Sequence, residues 1–188
     1  MEEVNKMYLN IFFTFHNAVF ESYISENEIN NAVSAVANKI NEQYKEQDVV
    51  FIAVLNGSFM FCADLLKKIN LKCEVSFVKM KSYEGTETTG KINELIGLSE
   101  DLRGKAVILV EDIVDTGNTL ERLSEILISK GVKSAQIATL LYKPEAYKKK
   151  IPIDYVGIEI PNEFVLGYGL DYDGLGRNLS KIYKLKHH

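Results

Sequence analysis

The segment from Ala106 to Leu120, AVILVEDIVDTGNTL, limits what this chain can fold into more than any other. Ala106 to Val110 is a short apolar block without helical spacing, which predicts a buried strand of a parallel sheet. Glu111 and Asp112 follow at its carboxyl end. Asp115-Thr116-Gly117-Asn118-Thr119 then predicts a tight turn into a helix running from about Leu120 to Lys130 and stopped by Gly131. Ligands of open parallel sheets gather in the crevice beyond such strand ends. A helix start preceded by Gly, Asn and Thr offers backbone N–H groups and hydroxyls to a phosphate. Two carboxylates beside that nest would repel the ligand unless a divalent cation or ribose hydroxyls lie between them. The local chemistry therefore points to a phosphorylated sugar bound with Mg²⁺. The alternative is that these residues serve only as turn and cap. The adjacent Glu-Asp favours the ligand reading, because a structural turn does not need two acids directly after a buried strand.

The rest of the chain fits the same architecture. Ser25-Glu26-Asn27-Glu28 forms a capping box, and the helix it starts runs to about Tyr44 with Ile29, Val33, Val36, Ala37 and Ile40 on one face. Val49 to Leu55 predicts a strand. Asn56-Gly57-Ser58 breaks it and starts a helix over Phe59 to Ile69. Cys73 to Met80, Ala135 to Tyr142 and Asp154 to Ile160 predict further strands. Strands alternating with helices give βαβ units and a mainly parallel sheet. Between Lys81 and Leu102 lies a long polar stretch of the kind that is either functional or disordered in compact domains. A plain β-hairpin over Gly90 to Leu98 is its ordinary alternative.

A length of 188 residues accommodates one domain with a real core. The net charge of −4 argues against a general nucleic-acid or anionic-membrane surface. Cys62 and Cys73 lack metal-ligand spacing, as expected of a reduced cytoplasmic protein. Met7 to Phe15 is apolar but about half the length of a membrane span, and it follows Glu2 and Glu3 rather than a basic region. A packed extra strand, a partner contact and a disordered leader all fit it.

VILVEDIVDTGNTL resembles the 5-phosphoribosyl-1-pyrophosphate (PRPP) binding signature of type I phosphoribosyltransferases: four apolar residues, Glu-Asp, two apolar residues, then Asp-Thr-Gly-x-Thr. Four more segments narrow the resemblance to the hypoxanthine-guanine phosphoribosyltransferase family. They are LNGSFMF at Leu55 to Phe61, VKMKSYEGTETTG at Val78 to Gly90, LLYKP at Leu140 to Pro144, and PNEFVLGYGLDYDGLGRNL at Pro161 to Leu179. The resemblance implies an α/β type I fold, with a mainly parallel central sheet flanked by helices, a small hood and a mobile flap. It implies a single domain over 20–188 after an N-terminal extension, 1–19. The implied enzyme of purine salvage joins hypoxanthine, and guanine, to PRPP with Mg²⁺, as a cytoplasmic homodimer or homotetramer with no nucleic-acid or membrane partner. A xanthine-preferring transferase and a PRPP-sensing regulator on the same fold are the alternatives; the regulator calls for a basic face or an appended DNA-binding region, and neither is visible.

Residue by residue, the resemblance implies that Asp115 takes the purine N7 proton, whereas a plain helix-cap Asp is the structural alternative. Glu111 and Asp112 would hold the ribose hydroxyls and Mg²⁺, and Thr116, Gly117, Asn118 and Thr119 the 5′-phosphate. Lys143 would donate to O6 of a 6-oxopurine; a solvated end charge is the alternative. Phe164 would stack on the base, with core packing as its alternative, and Val165 would present backbone groups. Asp171 is implied near a second metal and the base. Arg177 is implied on pyrophosphate, or else in a salt bridge to Asp171 or Asp173. Asn56 and Gly57 would bind pyrophosphate, in a loop that can hold a cis peptide at Leu55-Asn56. Many relatives carry Lys or Arg where this chain has Asn56. Ser82 and Tyr83 would sit at the closing end of the flap.

Overall fold

A computed structural model describes residues 12–15, 18–80, 94–96, 98 and 100–186. Its elements, in chain order, are β1 (Phe12–Phe15), β2 (Ala18–Ile24), α1 (Glu26–Gln43), β3 (Val49–Val54), α2 (Phe59–Leu66), β4 (Cys73–Met80), β5 (Glu94–Ile96), β6 (Ala106–Val114), α3 (Asn118–Ser129), β7 (Ser134–Tyr142), β8 (Tyr155–Glu159), β9 (Val165–Leu166) and β10 (Ile182–Leu185).

Two sheets organise them. The larger has the strand order β5-β4-β3-β6-β7-β8. Its last five strands are parallel, and β5 is an antiparallel edge on β4. Every residue of β3 is buried, as a strand covered on both faces requires. On one face Ile29, Val33, Val36 and Ile40 of α1 and Phe61 and Leu65 of α2 pack on Phe51, Ile108 and Leu140. On the other, Leu120, Leu123 and Leu127 of α3 pack on Ile52, Leu109 and Ile137, joined by Leu98 and Leu102. The Ser25 capping box forms as the sequence predicts, with the Ser25 side chain and Glu28 exchanging hydrogen bonds across the first turn of α1.

Three boundaries differ from the sequence expectation by two residues or more. β6 continues four residues past Val110, so Glu111 and Asp112 lie inside the strand rather than after it. Pairing with β7 persists to Val114↔Tyr142. The helix after the turn begins at Asn118, not Leu120, so Asn118 and Thr119 are its first residues. Finally, α2 stops at Leu66, three residues before Ile69.

The smaller sheet, β1-β2-β10-β9, is antiparallel. Phe20, Leu166 and Tyr183 are buried at its centre. Part of the apolar N-terminal segment thus pairs as an edge strand, β1 against β2. The proposed flap residues Ser82 and Tyr83 lie outside the described residues.

Candidate active site

Strand order locates the crevice. β3 and β6 are neighbours from which the chain proceeds in opposite directions across the sheet, toward β4 on one side and β7 on the other. Helices depart to opposite faces at such a switch point and leave a cleft outside the strand ends. The two loops leaving those ends, 55–58 and 115–117, are the segments singled out in the sequence.

The register of the sheet pairs the first two functional side chains. Val114 lies opposite Tyr142, and the Lys143 N–H extends the ladder by donating to the Val114 carbonyl at 2.9 Å. Asp115 and Lys143 are therefore the next residues of two adjacent parallel strands, and Lys143 Nζ lies 3.0 Å from Asp115 Oδ2. Lys143 is only 7% exposed, so it is not a solvated end charge. Asp115 is not a helix cap either: the α3 cap position is Gly117, at φ 80°, and no side chain bonds there. Thr116, Gly117, Asn118 and Thr119 curve around a small cavity of about 100 Å³, bounded also by Glu111 and Asp115.

Loop 55–58 closes the other side. Leu55–Asn56 is a cis peptide, as the resemblance implies. The Ser58 hydroxyl donates to the Val54 carbonyl at 2.6 Å and ties the loop back to β3. Gly57 is obligatory for contact: a Cβ there would sit 1.6 Å from Asp112 Oδ2. A third segment meets this point. A Cβ at Gly169, whose φ is +101°, would lie 2.0 Å from the Gly57 carbonyl oxygen. Arg177 donates to the Gly169 carbonyl at 2.7 Å and pairs with Asp171 at 2.6 Å. The second Asp171 oxygen accepts the Gly174 N–H. Of the two partners weighed for Arg177, Asp171 has it, and Asp173 is exposed. Asn56, Gly57, Asp112, Asp171 and Arg177 thus come from three distant stretches to one place.

Phe164 and Val165 enter from the antiparallel sheet. Val165 is buried in β9. The Phe164 ring contacts Tyr172 edge-on at 5.6 Å and Phe20 at 6.1 Å yet remains 44% exposed, so core packing does not consume it.

The acid pair has unusual electrostatics. Glu111 is buried, and its Oε2 has no hydrogen-bond partner. Burial first, then the neighbouring Asp112, holds its carboxyl well above the ordinary range. Burial raises Asp112 to about 6, against the backbone N–H groups of Ile113 and Asp112 and the Arg177 charge, which act to lower it. Uncompensated buried carboxylates are costly unless a cation joins them. Among the described residues no group of three or more His, Cys, Asp or Glu is gathered as a metal cage. Two carboxylates with substrate oxygens and waters completing the shell are the donor set that suits Mg²⁺.

Two residues escaped the sequence reading. Tyr147 and Lys149 press on the turn: a Cβ at Gly117 would lie 2.4 Å from the Tyr147 ring and 3.0 Å from Lys149 Cγ. The run Lys148-Lys149-Lys150 was the available signal, but it reads as an exposed charge cluster.

Comparison with known proteins places the chain in a family. A family model described as phosphoribosyl transferase domain matches residues 23–173. The hypoxanthine-guanine phosphoribosyltransferase of Staphylococcus epidermidis is 43% identical over 172 residues, covering 91% of this chain and 96% of its own. The hypoxanthine phosphoribosyltransferase of Escherichia coli is 43% identical over 168 residues, covering 88% and 94%. The crystal structure of a hypoxanthine phosphoribosyltransferase from Staphylococcus aureus superposes with a TM-score of 0.83 at 40% identity, covering 88% of this chain and 91% of that one. The chain belongs to the phosphoribosyl transferase family, whose members are pentosyl-transferring enzymes. Its fold is the type I fold of that family, five parallel strands flanked by helices with the small antiparallel sheet as the hood.

Proposed function

We propose that this enzyme transfers the phosphoribosyl group of PRPP to N9 of hypoxanthine, and of guanine, releasing pyrophosphate and the nucleoside 5′-monophosphate. The observation that carries this reading is the Lys143–Asp115 pair. A 6-oxopurine offers an acceptor, O6, and a donor, N7–H, side by side on one edge. The pair offers the complement: an ammonium donor and a carboxylate acceptor 3.0 Å apart. Adenine carries an amino group where O6 would be, which would leave two donors facing each other. Such unpaired buried polar groups are strongly rejected.

The chemistry then follows from the charges that develop. As the C1–pyrophosphate bond breaks and N9 bonds to C1, the N7 proton becomes acidic and Asp115 accepts it. Lys143 holds O6 and fixes the base in register. Phe164 provides a half-exposed ring on which the purine stacks. Val165 presents backbone groups to its far edge. Thr116, Gly117, Asn118 and Thr119 hold the 5′-phosphate through N–H and O–H groups. Arg177, released from Asp171, and the N–H groups of Asn56 and Gly57 take the negative charge growing on pyrophosphate. Asn56 supplies no cation, so Arg177 carries more of that duty. Glu111 and Asp112, with Asp171 once Arg177 leaves it, would hold Mg²⁺, which supplies charge neutralisation to the departing pyrophosphate. Ser82 and Tyr83 are assigned to the flap that covers the centre and excludes water.

The catalytic unit spans 20–188 after an N-terminal extension, 1–19, of which Phe12–Phe15 pairs with β2 in the hood. A cytoplasmic homodimer or homotetramer fits the exposed apolar residues Phe59, Val75 and Phe77. Val75 and Phe77 lie in register with Phe51 and Ala53, on the sheet face that α1 and α2 cover. Among the described residues no helix is long and apolar enough to cross a membrane.

The test is a panel of purines with PRPP and Mg²⁺. Hypoxanthine and guanine should be converted rapidly, and adenine at least about 1000-fold less efficiently in kcat/KM. Conversion of adenine at a comparable rate would remove Lys143 from its role, and preference for xanthine would reassign the substrate.

A further inference from the structure

We propose that Lys149 is a direct ligand of the 5′-phosphate, parked on Glu121 until the phosphate arrives. This deepens the reading of 115–119 as the phosphate nest and rests on it.

The nest has no cation of its own: Thr116, Gly117, Asn118 and Thr119 bring only N–H and O–H donors to a dianion. One helical turn on, Glu121 adds a carboxylate, its N–H bonded to the Gly117 carbonyl at 3.0 Å. A carboxylate this close to a bound phosphate is repulsive unless something lies between them. Lys149 Nζ sits 2.6 Å from Glu121 Oε2.

The position of Lys149 is fixed by its neighbours. Tyr147 donates its hydroxyl to the Ile151 carbonyl at 2.7 Å and packs edge-on against Tyr142 at 5.6 Å. It therefore closes a loop around residue 149. The Lys149 stem crosses the turn at Gly117, where Cγ is 3.0 Å from the missing Cβ position. Three bonds separate Cγ from the ammonium, so a rotamer change carries the charge from Glu121 over the nest while the stem stays in place. A phosphate dianion, with several acceptor oxygens, is a stronger partner for an ammonium than one partly exposed carboxylate. Glu121 and phosphate then compete for one cation.

That competition gives the experiment its sign. Binding of IMP and of inosine, which lacks the phosphate, is measured by calorimetry for wild type, K149M, E121Q, K149M/E121Q and K149R, with each variant's melting temperature recorded. K149M should weaken IMP about tenfold and leave inosine unchanged. E121Q should bind IMP as tightly as wild type or tighter. The double variant should remain as weak as K149M, and K149R should recover most of the affinity. Equal weakening by K149M and E121Q would make the pair a structural clamp and overturn the proposal. So would recovery in the double variant, which would leave Lys149 only a shield for Glu121, and so would an equal loss of inosine. Unchanged IMP affinity in K149M would also overturn it. If wild type itself bound IMP no better than inosine, the nest would not be a phosphate site at all.

Discussion

Two polar clusters lie on neighbouring strands of the central sheet, three residues apart in register, and only one of them is closed. Around Gln136 on β7, every group has a partner. Gln136 Oε1 accepts from the Tyr44 and Tyr155 hydroxyls at 2.6 and 2.8 Å, and its Nε2 donates to Asp154 Oδ1 at 3.0 Å. Asp154 Oδ2 takes the Ile137 N–H. On neighbouring β6, Glu111 leaves an oxygen orphaned beside a second acid. A closed network joins α1 to the sheet and has nothing left to offer a ligand. An open one is retained at a cost to the fold and waits for charge from outside. Which cluster is functional can thus be read from what is missing, before any chemistry is assigned.

The comparison makes sharp demands. Asp115→Asn should give the largest effect, a fall in kcat of about 100-fold or more. Its PRPP KM and melting temperature should stay close to wild type, and steady-state kinetics with a thermal melt check both. An unchanged rate would leave Asp115 as a partner for Lys143 and nothing else. Glu111→Leu should abolish most activity while holding or raising thermal stability, because it removes an unsatisfied buried acid. A marked loss of stability would show that Glu111 belongs with the closed cluster after all. Gln136→Leu should do the reverse. It takes a partner from the Tyr44 and Tyr155 hydroxyls and leaves Asp154 Oδ1 without its donor, and should lower unfolding free energy by about 2–3 kcal/mol in denaturant titration, with turnover per folded molecule kept. Tyr155→Phe removes one member only and should cost about 1 kcal/mol by the same titration.

Much of this was legible in the chain itself. Most of the five parallel strands are short apolar runs, with helices between β3 and β4 and between β6 and β7, and a period-free apolar run leaves little choice of where to lie. The turn at 115–119 was legible because glycine and small polar residues sit where a βα corner needs them. The extent of β6 was not. A reading that stops a buried strand at its first charge cannot see that pairing with β7 carries Glu111 and Asp112 inward. The hood escaped for a related reason: β9 has two residues and β10 four, too few for a period to register, so only the family resemblance supplied it. Lys143 was seen but not its burial, which depends on the register of two strands. Tyr147 and Lys149 were invisible because only the folded chain brings them against Gly117.

The central claim is that the β6 and β7 ends read one edge of a 6-oxopurine. A crystal structure with IMP tests it most directly. The account predicts Lys143 Nζ within hydrogen-bond distance of O6, Asp115 at N7, Phe164 against the purine face and the phosphate among the N–H groups of 116–119. A purine bound with O6 turned away from Lys143, or a phosphate seated anywhere but that turn, would contradict it.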